Sequence, residues 1–540
     1  MPSVREEIIA QLKQRLPFGA ELDLDIRDES SLTELGLTSL QFINMLLVLQ
    51  HRYELDPDSL GQFGSSSTVR DLVTLFESSN KAGGVLRNWA PTFERAPLTH
   101  QQMFFFRLFG LMPVSITVRL TGAVDHYILC WSLQELITRH DSLRTKLIVV
   151  DGTPQQHVIA NKTESVRVMS FDEFMELRER EKRRFSPGTA VGTTSNDTAD
   201  GLFGIKLAAL PTGETLLTWS IDHVMIDGTS LNLLFRELWS LYAELVRGSR
   251  ITTGATLDRY VNYAVWQREQ EHAWSTAHEP YWLARLDGAA RLQWRHSQRT
   301  EGGSLCSAST NLLMKFGKGL RAGLENVARA LAAPVPMVML TVYVALVFRW
   351  CGIGDFVVPV IAANRDNSDY LCSFGFFAYP LYLRVVLSGQ ESFLDLLKLL
   401  SEEHRRAEIH QDFGRMAARY PNLLEGTVFQ WCPWGLPEEW GMLTPRESLA
   451  LDMMSNIVEP DLRHITGKAV LCDNAPTPFD LSVSFYENDD GILANFEGNS
   501  DIFPEATIDT FARHLQALSE KVAADPYNVR VSGDTGHNLV

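Results

Sequence analysis

One stretch leaves this chain few choices. Glu214-Thr-Leu-Leu-Thr-Trp-Ser-Ile221 is an apolar run long enough for a buried strand and too short for a helix. It breaks at a charged corner, Asp222-His-Val-Met-Ile-Asp-Gly228. A helix is expected to start at Thr229/Ser230, because Leu231, Leu234, Leu238, Leu241 and Leu245 follow at helical spacing. Asp222, His223 and Asp227 therefore crowd a strand-to-helix corner, where side chains can face a cleft. Histidine titrates near neutrality and can take or give a proton there. Gly228 leaves space beside it. By residue type alone the same corner admits a plainer description: a structural loop histidine, an N-cap at Asp222 and a solvated charge at Asp227.

Size and charge limit what surrounds the corner. A chain of 540 residues is too long for one ordinary core, and two to four domains are expected. Its 66 acidic against 49 basic residues give a net charge of −17, which disfavours nucleic acid as a partner. No run of eighteen apolar residues suggests a membrane span, and the N-terminus lacks a signal-peptide core. The six cysteines are scattered, with no C-x-x-C pair, so a metal site is not expected and a reducing cytoplasm fits.

The first eighty residues stand apart, with 13 acidic and 6 basic side chains. Helical periodicity runs over 4–16, 40–53 and 69–76, punctuated by Pro17-Phe-Gly and Ser65-Ser-Ser-Thr. Ser39 falls at the start of the second helix, where serine is a natural N-cap. Residues 79–96 show no periodicity and read as a linker.

Two resemblances give these features a common meaning. Leu35-Gly-Leu-Thr-Ser-Leu40 resembles the attachment site of carrier proteins, with Thr38 where that family commonly has Asp. This resemblance covers nearly all of 1–78 and implies a 4′-phosphopantetheine arm on Ser39, at a helix N-terminus that favours its phosphate. Asp222-His-Val-Met-Ile-Asp-Gly228 resembles the His-His-x-x-x-Asp-Gly signature of condensation domains in nonribosomal peptide synthetases, with Asp222 in place of the first His. Further stretches resemble that family in its own order: Pro97-Leu-Thr-His-Gln-Gln102, Arg139-His-Asp-Ser-Leu-Arg-Thr145, Tyr260-Val-Asn-Tyr-Ala-Val-Trp-Gln267, Ser373-Phe-Gly-Phe-Phe-Ala-Tyr-Pro380, His410-Gln-Asp412 and Phe479-Asp-Leu481.

The resemblances imply a fold and a chemistry. The fold is a small all-α, four-helix-type carrier followed by an α/β, two-lobed, chloramphenicol-acetyltransferase-like condensation domain, with a tunnel between the lobes. The boundaries are a carrier at 1–78, a linker at 79–96, an N-lobe at 97–270, a C-lobe at 271–528 and a tail at 529–540. The activity is transfer of a pantetheine-tethered acyl or aminoacyl group to an amine or alcohol. A thioester is already activated, so holding two reactants together supplies much of the gain, on the order of 7–11 kcal/mol in favourable cases. His223 would remove a proton or hydrogen-bond the tetrahedral intermediate. Asp222 would orient its ring, and Gly228 would keep room for the arm. Asp227 would pair with Arg365 as a structural salt bridge. Tyr379 and Pro380, in place of the usual Asn-Thr, would alter the acceptor-side lining. No adenylation sequence is present, so the implied partners are a phosphopantetheinyl transferase, a trans-acting adenylation enzyme, and an acceptor carrier or small amine or alcohol. Epimerisation domains share the His motif but usually carry Gly-Trp-Phe-Thr where this chain has Gly375-Phe-Phe-Ala378. A degenerate domain that only recruits a partner, and an acyl-CoA transferase with a vestigial carrier, are the remaining alternatives.

Overall fold

The computed structural model describes residues 5, 8–9, 12, 27–28, 68–79, 94–111, 113–159, 168–174, 176–177, 203–248, 260–295, 309–365, 373–410, 414–432, 466–472, 479–488 and 491–533. Ser39, its helix and most of the linker lie outside the described residues. In the carrier region residues 5, 8, 9 and 12 are helical, and a further helix spans Val69–Ser79, longer than the expected 69–76.

Fourteen described strands form three sheets. In the first half these are β1 (Arg95–Pro97), β2 (Pro113–Thr121), β3 (Thr145–Val150), β4 (Thr153–Val158), β5 (Val168–Ser170), β6 (Phe203–Ala209) and β7 (Thr215–Asp222). The second half supplies β8 (Ser309–Gly317), β9 (Asp355–Ala362), β10 (Tyr379–Val386), β11 (Val428–Cys432), β12 (Thr466–Cys472), β13 (Leu481–Asn488) and β14 (Gly491–Asn499). A small sheet runs β1-β4-β3, a five-stranded sheet β12-β2-β7-β6-β5, and a six-stranded sheet β10-β9-β11-β13-β14-β8.

The apolar run of the corner is β7, central in the five-stranded sheet and antiparallel to both β2 and β6. Seven of its eight residues are buried, which is why it reads as continuous rather than alternating. The helices His126–Arg139 and Gly228–Val246 pack on each other in the same core. In the second half, the helix Val335–Cys351 is apolar on nearly every side because it is enclosed by its neighbours and the six-stranded sheet. Among the described residues no single helix is long and apolar enough to cross a membrane.

Two details depart from a division into contiguous lobes. Strand β12 leaves the second half and pairs antiparallel with β2, from Thr466↔Thr121 to Cys472↔Ile116, so the first sheet is completed by residues far along the chain. Backbone pairing with the second half continues past residue 528, since Val531 N–H donates to Glu391 O at 3.0 Å and Phe393 N–H to Val529 O at 2.9 Å. Strand β1, from Arg95, pairs antiparallel with β4.

Close packing between the helices Lys318–Ala330 and Glu505–Ala524 depends on Gly323, where an added Cβ would come within 2.8 Å of Ala523 Cβ. Gly→Ala inside a helix is ordinarily worth about 1 kcal/mol of stability. Gly323→Ala is expected to reverse that sign and cost about 1–3 kcal/mol by overpacking, read as a lower midpoint in urea unfolding.

Candidate functional site

The corner after β7 is a 3-10 turn, His223–Met225, followed by the helix Gly228–Val246. Asp222 is buried, and its Oδ1 accepts from Val224 N–H at 3.1 Å, capping the turn. The helix begins at Gly228, a residue earlier than the spacing of leucines indicates, because Asp227 is its N-cap and accepts from Ser230 N–H at 2.7 Å. The description of Asp227 as a solvated loop charge does not hold: the residue is 6% exposed.

Asp227 reaches across to the second half of the chain. Arg365 Nη2 donates to its Oδ1 at 3.0 Å and its Oδ2 at 3.2 Å. The backbone N–H groups of Phe377 and Ala378 donate to Oδ2 at 3.0 and 3.2 Å. Arg365, itself 2% exposed, also donates to Ser373 O at 2.8 Å and Ser230 Oγ at 2.6 Å, and its guanidinium lies 4.3 Å from the Phe377 ring centroid. Asn364, in the left-handed region at φ 51°, turns the chain ahead of Arg365.

These contacts belong to a wider convergence on the strip Phe374–Ala378. Ser142 Oγ donates to Phe374 O at 2.7 Å, and Ser230 Oγ donates to Gly375 O at 2.8 Å while accepting from Gly375 N–H at 3.0 Å. Tyr260 OH donates to Phe376 O at 2.7 Å. Gln101 Nε2 and Asn364 Nδ2 donate to Phe377 O at 3.2 and 3.1 Å. Five separate stretches of sequence thus satisfy the strip's backbone, as a buried irregular segment requires. Gly375 has no room for a side chain, since a Cβ would fall 2.0 Å from the Tyr260 ring. Burial pushes the Tyr260 phenol well above its usual range and that of Tyr263 up to about 12, so both remain protonated at neutral pH.

His223 is half-buried at the rim of this assembly. Phe105 stacks on it with ring centroids 4.5 Å apart and planes 14° apart; Phe376 meets it edge-on at 5.2 Å and 88°. Gln102 Nε2 donates to Val224 O at 2.9 Å, tying the helix His100–Phe109 to the turn that carries His223. The structure therefore gathers His223, Asp222, Asp227, Gly228 and Arg365 at one seam. It does not put Tyr379 there: that residue is 3% exposed, paired with Ala362 in β10, and packed in the core of the second half. Ser230 and Phe105 were not legible as site residues. A serine two places past the motif glycine and a phenylalanine in an aromatic run carry no chemical signal by themselves.

The Condensation domain family matches residues 94–420, more than half of the chain, and the phosphopantetheine attachment site family matches residues 7–76. The chain belongs to the condensation domain family, preceded by a carrier region of the kind that holds 4′-phosphopantetheine on a serine. Among curated proteins it is 27% identical to one of the linear gramicidin synthase subunits of Brevibacillus parabrevis over 80% of this chain and 8% of that protein. It is 26% identical to surfactin synthase subunit 1 of Bacillus subtilis (strain 168) over 75% of this chain and 11% of that one. The chain thus spans about a tenth of these relatives' length. Among solved structures, the condensation domain of the monacolin K polyketide synthase MokA superposes with a TM-score of 0.64 at 18% identity, covering 81% of this chain and 99% of that one. The X-domain from teicoplanin biosynthesis, in complex with OxyB, gives 0.64 at 21% identity, covering 84% and 98%. These likenesses establish the fold.

Two outcomes test the site's physics. Arg365→Ala or Asp227→Ala alone strands a buried charge and is expected to cost about 3–5 kcal/mol in urea unfolding; a double variant should lose less than the sum. Burial, with the charges of Arg268 and Arg415, holds the His100 imidazole down at about 3. The unfolded chain therefore binds a proton below pH 6.5 that the folded chain refuses, and stability falls as pH drops from about 6.5 toward 3. His100→Gln should make that fall shallower by up to about 1.4 kcal/mol per pH unit and leave stability above pH 7 without the same slope change.

Proposed function

We propose that this protein transfers an acyl or aminoacyl group from a pantetheine thioester carried on Ser39 to an amine or alcohol, forming an amide or ester. The observation that carries this reading is the presentation of His223. Phe105 and Phe376 fix its ring, neighbouring turns are locked by Asp222 and Asp227, and the imidazole remains partly accessible. Membership of the condensation domain family and likeness to peptide synthetase subunits point to the same chemistry.

The fit of the arm rests on residue chemistry: a phosphodiester link needs a hydroxyl, and Ser39 supplies one in the matched carrier region. The bound arm contributes a thioester whose acyl carbon is already open to attack. The chain's own residues do the rest. The fixed aromatic slot orients the His223 imidazole. That ring would take the proton from the attacking amine or hydroxyl, or donate a hydrogen bond to the oxygen that gains charge; as the new C–N or C–O bond forms, the thioester C–S bond would break and the sulfur would leave as the free thiol with that proton. A hydroxyl needs a base more than a neutral amine does. Asp227 and Arg365 act at a distance from the reacting atoms, by holding the wall against which His223 is set. Asp222, as cap of the 3-10 turn, sets the height of the imidazole above that wall, and Gly228 leaves the adjoining space without a side chain. A phosphopantetheinyl transferase, an adenylation activity that loads the arm, and an acceptor delivered by a carrier or free in solution complete the reaction.

One observation favours a second reading, recruitment of a partner protein: the similar teicoplanin X-domain is found with OxyB. Activity separates the two. After treatment with a phosphopantetheinyl transferase, intact mass should rise by one arm and Ser39→Ala should abolish the rise. In loaded protein supplied with amines and alcohols, His223→Ala should lower transfer about 10²–10⁴-fold if the ring acts as general base. Full product from His223→Ala would leave proximity or recruitment as the role.

A further inference from the structure

His140 takes part in none of the steps above, yet it is 1% exposed and carries a polar ring into the core of the first half. It follows the helix His126–Arg139 as its C-cap. Its Nε2 lies 2.6 Å from Glu237 Oε2, on the helix Gly228–Val246. Glu237 also accepts from Arg139 Nη1 at 3.2 Å, and Arg139 Nε donates to Glu135 at 2.9 Å. On the adjoining turn Asp141 and Arg144 pair with each other. Burial pushes the Glu237 carboxyl up, but its interactions with His140 and Arg139 outweigh that, and it titrates below its ordinary range. It is therefore a carboxylate at neutral pH. A buried polar network of this kind is a weak source of stability, since apolar packing of equal volume often serves as well or better. What it supplies is a fixed geometry.

That geometry leads to His223. The His140 ring lies on Phe374, with centroids 3.8 Å apart and planes 30° apart. Phe374 opens the strip whose third residue, Phe376, meets His223 edge-on at 5.2 Å. Between them Gly375 has no slack: Ser230 Oγ binds both its N–H and its carbonyl, and the Tyr260 ring fills the place of a side chain. The backbone between the two rings is thus held from both sides, and their relative placement is set.

We propose that the His140–Glu237 pair is a positioning device for His223, acting through the rings of Phe374 and Phe376. The proposal deepens the reading of His223 as the working group and rests on that reading for its purpose. His140 touches no reacting atom and is a positioning residue.

The test reads His223 directly and needs no substrate. Full-length protein carrying 13C-labelled histidine gives an imidazole Cε1–Hε1 cross-peak for His223, assigned by its loss in His223→Asn. Ring currents from Phe105 and Phe376 make that peak sensitive to small changes in slot geometry. Glu237→Gln and His140→Gln should each shift it by more than a line width. Phe374→Leu, which leaves the polar network in place, should shift it as well, and it keeps the test decisive should either polar variant fail to fold. Leu324→Ala, in the core of the second half, controls for lost stability alone and should leave the peak where it was. An unmoved peak in the folded His140, Glu237 and Phe374 variants would overturn the proposal. So would an equal shift in Leu324→Ala. Transfer assays of His223→Ala bear on the proposed reaction, while the resonance position bears on the positioning, so either can fail without the other.

Discussion

A single carboxylate organises the centre of this molecule. Asp227 caps a helix of the first half with Oδ1, accepts from two backbone amides of the second half with Oδ2, and accepts from the Arg365 guanidinium with both oxygens. Both charges are almost completely out of water. Taking them there is expensive, and their mutual attraction offsets the cost only because nearly every remaining donor and acceptor around them is matched. Such an arrangement tolerates little movement. The strip Phe374–Ala378 is irregular backbone, and without these partners it would leave unsatisfied groups in an apolar core.

The consequence is mechanical as well as energetic. Phe374, Phe376 and Phe377 pack in the core of the first half although they belong to the second. The halves are joined at this strip and again where β12 completes the first sheet. A histidine at such a seam is set by both halves at once. The helix His100–Phe109 supplies the stacked ring, the corner after β7 supplies the imidazole, and the strip supplies the edge-on ring. Orientation is thus fixed during folding, which is what the proposed transfer requires of a preorganised group.

Much of this was legible in the sequence, for identifiable reasons. The strand-to-helix corner could be read because β7 is buried on both faces and the following helix shows a leucine stripe. The order of short stretches resembling condensation domains, from Pro97 to Phe479, pointed to the two-part α/β fold. Periodicity could not show that these stretches meet at one strip. Ser142, Gln101 and Tyr260 donate to backbone carbonyls, and a carbonyl leaves no mark on residue type. The exchange of β12 was equally hidden, since a strand does not announce which sheet it will join. Asp222 could be read two ways, as a tautomer partner of the neighbouring histidine or as an N-cap, and its Oδ1 caps the turn. Helix boundaries slipped by a residue where a cap, rather than an apolar stripe, decided the start.

Backbone hydrogen exchange at Phe377 and Ala378 tests the central claim most directly, because Asp227 is the acceptor for both amides. In the native protein both should be strongly protected. In Asp227→Ala, studied where the protein remains folded, their exchange should accelerate by about tenfold to a hundredfold, the equivalent of losing charge-assisted hydrogen bonds, while amides in the six-stranded sheet keep their protection. Unchanged protection at these two positions would show that the strip is held by something other than this carboxylate, and the account of how the two halves present His223 would be contradicted.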